Sequence, residues 1–490
     1  MTAPRGRPGP PLPPGLPGRL GSLGSLRPLG SLGPLGPRTD RGRLLLVLLL
    51  VAAVTVFTAT VPVLRGFFDL RVYYGAVHTW VHHGGRLYDY RVPGTPYGFT
   101  YPPFAAVAML PLALLGRTTA IVMSLLVNLA ALAVVLRVLA GPHWRRHGWY
   151  RWALCLCLLA LFEPLRDTVS FGQVNLVLLA LVLADAWLLA TGRGRWAGAG
   201  IGLAAAVKLT PALFIGLLLL AGRRRAAGTA AAVAAAATAL AVRADPAASR
   251  FYWTEALWDT GRVGRLDYVS NQSLQGVLAR LGESGRPLWA TAVLLTLGVW
   301  AWRGRRAVAA GDWTAAFALT GAAACLVSPI TWVHHLVWLL PSFAVLVRAG
   351  HPRIAGALYA VLCTSVVWLW YDDASGPGGF LGGNLYTWIA LGLLLGLPTG
   401  QPRAGRPPLA RNASATAPAP SPVSPATTAG PDQPEPSCGA TAAATGVADA
   451  VPEGRRSPSS EPTGSTCPAA AKPQSSRARA SSYTVSPPSS

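Results

Sequence analysis

Charged residues are scarce in this chain of 490 residues. Asp, Glu, Lys and Arg make up 12% of it, whereas 52% of its residues are hydrophobic and its mean hydropathy is +0.40. That composition is too apolar for a soluble globular protein of this length. Apolar stretches of about 20 residues, enough to cross a bilayer as helix, recur between Leu44 and Leu397. The sequence therefore predicts an all-α polytopic membrane protein.

Metal-binding and nucleotide-binding patterns are also lacking. The six cysteines have no metal-ligand spacing, which excludes a zinc site or a disulfide framework. No acidic pair stands where a divalent metal would bridge a nucleotide diphosphate, and no glycine-rich phosphate loop is present. Asp372-Asp373 comes nearest but lacks further ligands. The sequence therefore predicts no metal and no cofactor.

The net charge of +23 does not indicate nucleic acid, because the arginines stand at the ends of apolar runs rather than on one basic face. Basic clusters mark cytoplasmic helix ends. Placing all of them inside puts both termini in the cytoplasm and predicts a multi-pass protein of the plasma membrane. The clusters are Arg41 and Arg43; Arg145, Arg146 and Arg151; Arg193 and Arg195; Arg223 to Arg225; Arg303 to Arg306; and Arg348 and Arg353.

Composition divides the chain into three parts. Residues 1–42 form a Pro/Gly/Leu-rich arm, and residues 401–490 form an Ala/Pro/Ser/Thr-rich tail. Neither carries apolar periodicity, so both are predicted to be disordered and cytoplasmic. Residues 43–400 are the transmembrane domain, with long outer loops at 65–117 and 244–286.

About 12 helical passes are predicted in that domain. Residues 101–115 are short and bounded by prolines, so they are expected to lie on or dip into the outer face. Residues 196–221 are expected to form a hairpin, because Lys208-Leu-Thr-Pro211 interrupts them and proline breaks a helix. The predicted helices are 44–64, 118–140, 152–165, 174–191, 196–221, 226–243, 287–303, 312–328, 331–348, 353–371 and 384–399.

Titratable residues other than arginine gather on the predicted outer face. Asp69 follows the first helix, where apolar neighbours can raise the pKa of a carboxylate towards that of a general base. An ion pair with Arg71 or a helix cap is the alternative interpretation. Lys208, His334 and His335 interrupt apolar segments at an energetic cost, which indicates a site. For Lys208 the alternative is snorkelling to the lipid headgroups.

A series of motifs at outer helix ends resembles glycosyltransferase family 87, which includes actinobacterial mannosyltransferases that use polyprenyl-phosphate mannose. The resemblance spans about 44–400 and leaves both tails unexplained. The motifs, in order, are Asp69-Leu-x-Val-Tyr; Gly85-x-Leu-Tyr88; Phe99-Thr-Tyr-Pro-Pro-Phe-Ala; Gly172-Gln-Val-Asn175; Lys208-Leu-Thr-Pro211; Asn271-Gln-Ser273; and Ser328-Pro-Ile-x-Trp-x-His-His335.

The resemblance implies the C-type membrane glycosyltransferase (GT-C) fold and an inverting transfer. Asp69 would be the catalytic base that activates the acceptor hydroxyl. Lys208 would bind the donor phosphate together with a histidine. Because adjacent helical residues point about 100° apart, one of His334 and His335 is expected to face the cavity, and His335 is the preferred one.

Further side chains are candidates for substrate binding. Amides suit sugar hydroxyls, although they also satisfy frayed backbone at helix ends. Aromatic rings can stack on a sugar or line the donor lipid, although interfacial anchoring is their usual role. The candidates are Gln173, Asn175, Asn271 and Gln272 among the amides, and Tyr73, Tyr101 and Trp332 among the aromatics.

The predicted function is transfer of a hexose from a polyprenyl-phosphate sugar to a lipid or glycan acceptor on the outer face of the membrane. The choice of mannose as the hexose comes from the family resemblance alone, and the sequence does not identify the acceptor. The main alternative is a transporter or lipid flippase, since a broken helix with a lysine also marks transporter sites. Internal repeats would favour that alternative, and the two halves show none. A scaffold or receptor with signalling tails would not depend on Asp69.

Overall fold

The computed structural model describes residues 39–60, 66–141, 148–282 and 285–400. Nearly all of the predicted N-terminal arm, the whole C-terminal tail, and Arg145 and Arg146 lie outside the described residues. The first helix begins at Asp40, inside the predicted arm.

The described part of the chain is built from helices and contains no β-strand. Each long helix is rich in Leu, Ala and Val, which have good helix propensity or favour burial. The helices are α1 Asp40–Thr60, α2 Phe68–His82, α3 Pro103–Ala108, α4 Arg117–Ala140, α5 Trp149–Leu161, α6 Glu163–Phe171, α7 Asn175–Ala190, α8 Ala199–Val207, α9 Leu213–Leu220, α10 Arg224–Ala244, α11 Pro246–Phe251, α12 Leu274–Arg280, α13 Arg286–Ala309, α14 Trp313–Val327, α15 Leu340–Arg348, α16 Pro352–Cys363, α17 Gly376–Gly382 and α18 Leu385–Gly396, with short 3₁₀ turns at Leu110–Leu114, Thr210–Ala212, Thr260–Arg262, Val333–Leu339 and Val366–Trp370 and a π turn at Tyr252–Ala256.

Three of the described helices, α1, α4 and α10, are long and apolar enough to cross a membrane. The bent pairs α6–α7 and α17–α18 bring the number to five if each pair counts as one span. Other apolar segments have 10–17 residues. The membrane character agrees with the prediction, while the count of about 12 passes stays a prediction.

Two predicted interruptions are found. The helical segment 196–221 breaks at Lys208, whose backbone is extended between α8 and the 3₁₀ turn Thr210–Ala212. Residues 101–115 contain only α3 and the 3₁₀ turn Leu110–Leu114, both too short to span a bilayer. Whether 196–221 forms a hairpin in the membrane stays a prediction.

The predicted first outer loop contains a helix that hydropathy did not reveal. Its α2 runs from Phe68 to His82 and buries Leu70, Tyr73 and Val77 on one face. Polar residues interrupt its sequence, so it lacks the continuous apolar run of a membrane span. Spacing of apolar residues at three and four positions was the available signal.

Helix α14 forms the centre of the core. Thirteen of its residues are buried, and it packs against α13, α15, α18 and α9. A helix that is apolar all round is expected to be enclosed by others. Small residues permit equally close packing at α8, because a Cβ on Gly202 would lie 2.3 Å from the carbonyl oxygen of Ala230 in α10. Helix α8, which ends at the Lys208 break, thereby packs closely against α10.

Candidate active site

Asp69 lies in the first turn of α2, at a point fixed by a strained backbone. The preceding Phe67 adopts a left-handed conformation with φ of 53°. Its N–H donates to the carbonyl oxygen of Ser170 in α6 at 2.9 Å. This hydrogen bond ties the start of α2 to α6 and directs Asp69 towards the end of that helix.

A sharp bend between α6 and α7 presents two amides at the same place. The two helices meet at 118°. Gly172 ends α6 with φ of +71°, and a Cβ there would lie 2.5 Å from the Cβ of Leu70. Glycine is therefore required both by its conformation and by the close approach of α2. The bend places Gln173 and Asn175 beside Asp69 and Lys208.

Asp69, Gln173 and two tyrosines form one hydrogen-bonded chain. The Nε2–H of Gln173 donates to Asp69 Oδ2 at 2.7 Å. The hydroxyl of Tyr101 donates to Gln173 Oε1 at 2.8 Å, and the hydroxyl of Tyr73 donates to that of Tyr101 at 3.0 Å. No described residue donates a hydrogen bond to Asp69 Oδ1, so that oxygen is available to a substrate hydroxyl.

Lys208 joins this chain to a second group of side chains. Its Nζ lies 3.3 Å from the hydroxyl of Tyr101 and 3.1 Å from Asn175 Oδ1. His335 Nε2 lies 2.8 Å from the same Nζ. The structure thus brings together seven of the predicted site residues, which come from five separate segments of the chain: Asp69, Tyr73, Tyr101, Gln173, Asn175, Lys208 and His335.

Accessibility divides the seven residues into two groups. Asp69, Tyr101, Lys208 and His335 are half-buried and keep partial exposure. The others, Tyr73, Gln173 and Asn175, are buried and support them. Burial raises the pKa of a carboxylate, whereas a hydrogen-bond donor or a nearby positive charge lowers it.

Asp69 has the basicity that a general base needs. Burial raises the pKa of Asp69 from its ordinary value of 3.8 to about 6, against the opposing effect of the hydrogen bond from Gln173. No ion pair joins Asp69 to Arg71 in the described residues, and the Arg71 guanidinium lies over the Phe68 ring instead. A base with a pKa slightly below neutrality is ionised at pH 7 yet able to accept a proton.

Two of the predicted amides, Asn271 and Gln272, bond to backbone groups away from Asp69 and Lys208. Asn271 donates to the carbonyl oxygens of Leu266 and Pro329 and accepts from the N–H of Thr331. Gln272 donates to Gly383 O and accepts from Thr387. Both are fully buried and bonded to backbone groups. These contacts match the alternative interpretation, in which amides satisfy loop and helix-end backbone.

Trp332 and His334 support the site through their backbones. The N–H of Trp332 donates to His335 Nδ1 at 3.1 Å. The carbonyl oxygen of His334 accepts hydrogen bonds from Thr168 Oγ1 and Asn175 Nδ2. The His334 ring is buried between the rings of Phe171 and His335. Of the two adjacent histidines, His335 is the one that contacts Lys208.

An apolar cavity of about 560 Å³ lies beside α6, between α4, α5 and the start of α2. Leucine side chains dominate its wall, which is typical of pockets that enclose an apolar ligand. Phe67 and Ser170, whose backbones tie α2 to α6, contribute to the wall and link the cavity to Asp69. The lining residues are Thr58, Gly66, Phe67, Leu125, Asn128, Leu129, Leu132, Leu156, Leu159, Ala160, Leu165, Arg166, Val169, Ser170 and Leu176.

Arg166 in that wall was not singled out from the sequence. Its guanidinium donates to the carbonyl oxygen of Leu161 at 3.2 Å and to Ser365 Oγ at 2.8 Å. The available signal was an arginine between apolar helices, apart from the basic clusters that were predicted to be cytoplasmic. Glu163 is likewise buried, where it accepts hydrogen bonds from Trp368 Nε1 and the Tyr386 hydroxyl. We assign Glu163 a structural role.

Apolar helices that enclose a carboxylate, an amine and an imidazole, with an apolar cavity beside α6, are typical of a membrane protein with a polar functional centre. Comparison with known proteins makes the class specific. The profile of glycosyltransferase family 87 matches residues 99–329. That range includes Tyr101, Gln173 and Lys208, whereas Asp69 and His335 lie beyond its two ends.

Curated relatives extend the match over most of their length. The polyprenol-phosphate-mannose-dependent alpha-(1-2)-phosphatidylinositol mannoside mannosyltransferase of Mycobacterium tuberculosis is 34% identical over 319 residues, covering 61% of this chain and 74% of the relative. Its counterpart of the same description in Mycolicibacterium smegmatis is 37% identical over 285 residues, covering 53% and 64%.

A polyprenol-phosphate-mannose-dependent alpha-(1-2)-phosphatidylinositol pentamannoside mannosyltransferase of Mycolicibacterium smegmatis is 34% identical over 336 residues, covering 65% of this chain and 79% of the relative. No solved structure matches the chain significantly. The chain belongs to glycosyltransferase family 87, as its motifs indicated, and is a glycosyltransferase.

Proposed function

We propose that this protein transfers mannose from polyprenyl-phosphate mannose to a mannosylated phosphatidylinositol acceptor at the outer face of the membrane. The relatives are described as using that donor and such acceptors. The observation that carries the proposal is the chain of hydrogen bonds that joins the Asp69 carboxylate and the Lys208 amine in one half-buried cluster.

In this proposal Asp69 is the general base. Oδ2 is held by Gln173, which leaves Oδ1 to accept the proton of an acceptor hydroxyl. The acceptor oxygen forms a bond to the anomeric carbon while the bond from that carbon to the phosphate oxygen breaks. One carboxylate on the face opposite the leaving group suffices for inversion. The products are the extended glycolipid and polyprenyl phosphate.

Lys208 and His335 bind the donor phosphate. A phosphate leaving group needs charge stabilisation more than it needs a proton, so N–H donors placed around it lower the barrier. Asn175 holds Lys208 at 3.1 Å from within the core, and the backbone of Trp332 fixes the His335 ring. Tyr101 stands between the base and the amine, where it can contact the mannose ring.

The cavity beside α6 is proposed to receive the prenyl chain of the donor. Only one phosphate separates the anomeric carbon from that chain. The prenyl chain must therefore begin within a few atoms of the reaction centre. The acyl chains of the acceptor lie a whole headgroup away from the reacting hydroxyl. Phe67 and Ser170 line the apolar cavity, and the hydrogen bond between their backbones also positions Asp69. The cavity is therefore near enough to the reaction centre to receive the prenyl chain.

We propose the GT-C arrangement of about 12 passes, with both termini cytoplasmic, as the setting of this chemistry. The support is the distribution of basic residues at helix ends and the position of the site where helices break. The outer location also accounts for a lipid-linked donor, since nucleotide sugars are absent there.

The direct test is a transfer assay with the full chain in membranes. We expect hexose transfer from polyprenyl-phosphate mannose to phosphatidylinositol mannosides, detected by mass spectrometry, and none from a nucleotide-linked mannose. Phosphatidylinositol without mannose serves as the acceptor control. Transfer from the nucleotide sugar, or movement of the lipid donor across vesicles without any transfer, would refute the proposal and favour the transporter alternative.

A further inference from the structure

The hydrogen-bond partners of the two ring nitrogens of His335 show which nitrogen carries the proton. A backbone N–H is always a donor, and that of Trp332 points at His335 Nδ1 from 3.1 Å. Nδ1 therefore accepts, and it carries no hydrogen. A neutral imidazole has one N–H, so the hydrogen of His335 is on Nε2. That Nε2–H faces Lys208 Nζ at 2.8 Å.

The other two partners of Lys208 both accept. Asn175 Nδ2 donates to the carbonyl oxygen of His334, which turns Oδ1 towards Nζ. The hydroxyl hydrogen of Tyr101 is committed to Gln173 Oε1, so the Tyr101 oxygen accepts from Nζ. Lys208 thus meets two acceptors and one donor.

An uncharged amine satisfies this set of partners and an ammonium does not. The amine has two N–H groups, for Tyr101 and Asn175, and a lone pair for the Nε2–H of His335. An ammonium has three N–H groups and no acceptor. Its third N–H would oppose the N–H of His335 across 2.8 Å, and a half-buried ammonium would also lose hydration.

We infer that Lys208 is an uncharged amine in the empty site and takes up one proton from solvent when the anionic phosphate of the donor binds. The inference rests on the proposed function, because it takes the donor phosphate as the ligand of Lys208. In this step the Nζ lone pair gains a proton, and no bond of the donor breaks.

The charged and titratable groups around Lys208 are compatible with this assignment. Asp69 of α2 is the anion that favours an ammonium, but its Oδ2 is engaged by Gln173 and it makes no hydrogen bond to Nζ in the described structure. Cys325 of α14 is a thiol that donates to the carbonyl oxygen of His335. The remaining groups are the phenols of Tyr101 and Tyr73 and the imidazoles of His334 and His335.

A bound phosphate would replace the contact between Lys208 Nζ and His335 Nε2 with hydrogen bonds from both nitrogens to the phosphate. Its oxygens accept from the Nε2–H of His335 and from the third N–H that Lys208 gains on protonation. The opposing hydrogens are then both directed at one anion. Since a proton enters with the phosphate, the affinity for the donor should fall as the pH rises. A lysine that is charged throughout would show no such coupling.

Calorimetry of the detergent-purified full chain tests this inference, with geranyl methyl phosphodiester as the probe. A phosphodiester stays a monoanion near neutral pH, so the probe itself exchanges no proton. Binding is measured at pH 8 in buffers with different heats of ionisation. We expect the binding enthalpy to vary with the buffer by an amount equal to about one proton taken up.

Matched variants identify the group that takes up the proton. Lys208→Arg, whose guanidinium is always charged, should bind with an enthalpy independent of the buffer. The exposed Glu255→Gln should keep the wild-type dependence. Buffer-independent binding by the wild-type protein would overturn the inference and leave the proposed function intact. Absence of binding by the wild-type protein would instead remove the phosphate site at Lys208, and with it both proposals.

Discussion

Replacing Gln173 by leucine should move the pH dependence of transfer, because Gln173 holds the proposed base. Its Nε2–H donates to Asp69 Oδ2 at 2.7 Å and lowers the pKa of Asp69, which burial raises to about 6. A hydrogen bond to a charged group contributes about 1.5–3 kcal/mol, and one pKa unit corresponds to about 1.4 kcal/mol. Losing it should raise the pKa of Asp69 to roughly 7–8.

The sign of the effect follows from the role of Asp69. A base acts when it is deprotonated, so activity rises with pH through its pKa, and a higher pKa displaces that rise towards alkaline pH. At pH 7 the variant should be slower by roughly 2- to 10-fold, and near pH 9 it should approach the wild-type rate. The assay is kcat/KM for the acceptor between pH 5 and pH 9, which reports groups of the free enzyme.

Gln275→Leu provides a matched control for this experiment. The Oε1 of Gln275 makes no hydrogen bond within the described residues, and Gln275 lies on α12, outside the site. If the acidic side of the pH profile of kcat/KM is the same in Gln173→Leu as in the wild-type protein, the assignment of Asp69 as a base held by Gln173 is refuted. A uniform loss at every pH, with a lowered melting temperature, would equally contradict it.

Two further predictions concern the structural glutamate and the cavity. Glu163→Leu leaves the Trp368 indole N–H and the Tyr386 hydroxyl without their acceptor, which should cost about 1–3 kcal/mol for each and lower Tm in detergent; an unchanged Tm beside the control Glu255→Gln would contradict the structural role. Leu132→Trp should fill part of the 560 Å³ cavity and raise KM for a long-chain donor by about 10-fold or more, while a short-chain donor is used normally. Equal effects on both donors would exclude the cavity as the chain site.

The helices were predictable where a long apolar run was continuous, whether its side chains pack inside the protein or lie on its apolar outer surface. Helix α4 was expected at 118–140 and is found at Arg117–Ala140, and α7 was expected at 174–191 and is found at Asn175–Ala190. Helix α2 was missed because it lies against the domain with one apolar face and carries polar residues on the other. The left-handed Phe67 that starts it could not be foreseen, since a positive φ at phenylalanine depends on its tertiary contact with Ser170.

The site was predictable as a set of residue types at helix ends but not as a set of contacts. Lys208 stood out because a lysine is costly within an apolar segment. The sequence could not distinguish Gln173, which bonds Asp69, from Gln272, which bonds the backbone of Gly383. Both are amides beside a helix end, and only the 118° bend at Gly172 decides which of them meets the carboxylate.

The transfer rate of Asp69→Asn tests the central claim most directly. Asparagine keeps the size and the contact with Gln173 but cannot accept the acceptor proton. We expect transfer from polyprenyl-phosphate mannose to fall by at least about 100-fold, with expression and Tm unchanged. Asp89→Asn, the same substitution at an exposed position of the same predicted outer loop, should transfer at the wild-type rate. Full activity in Asp69→Asn would contradict the account.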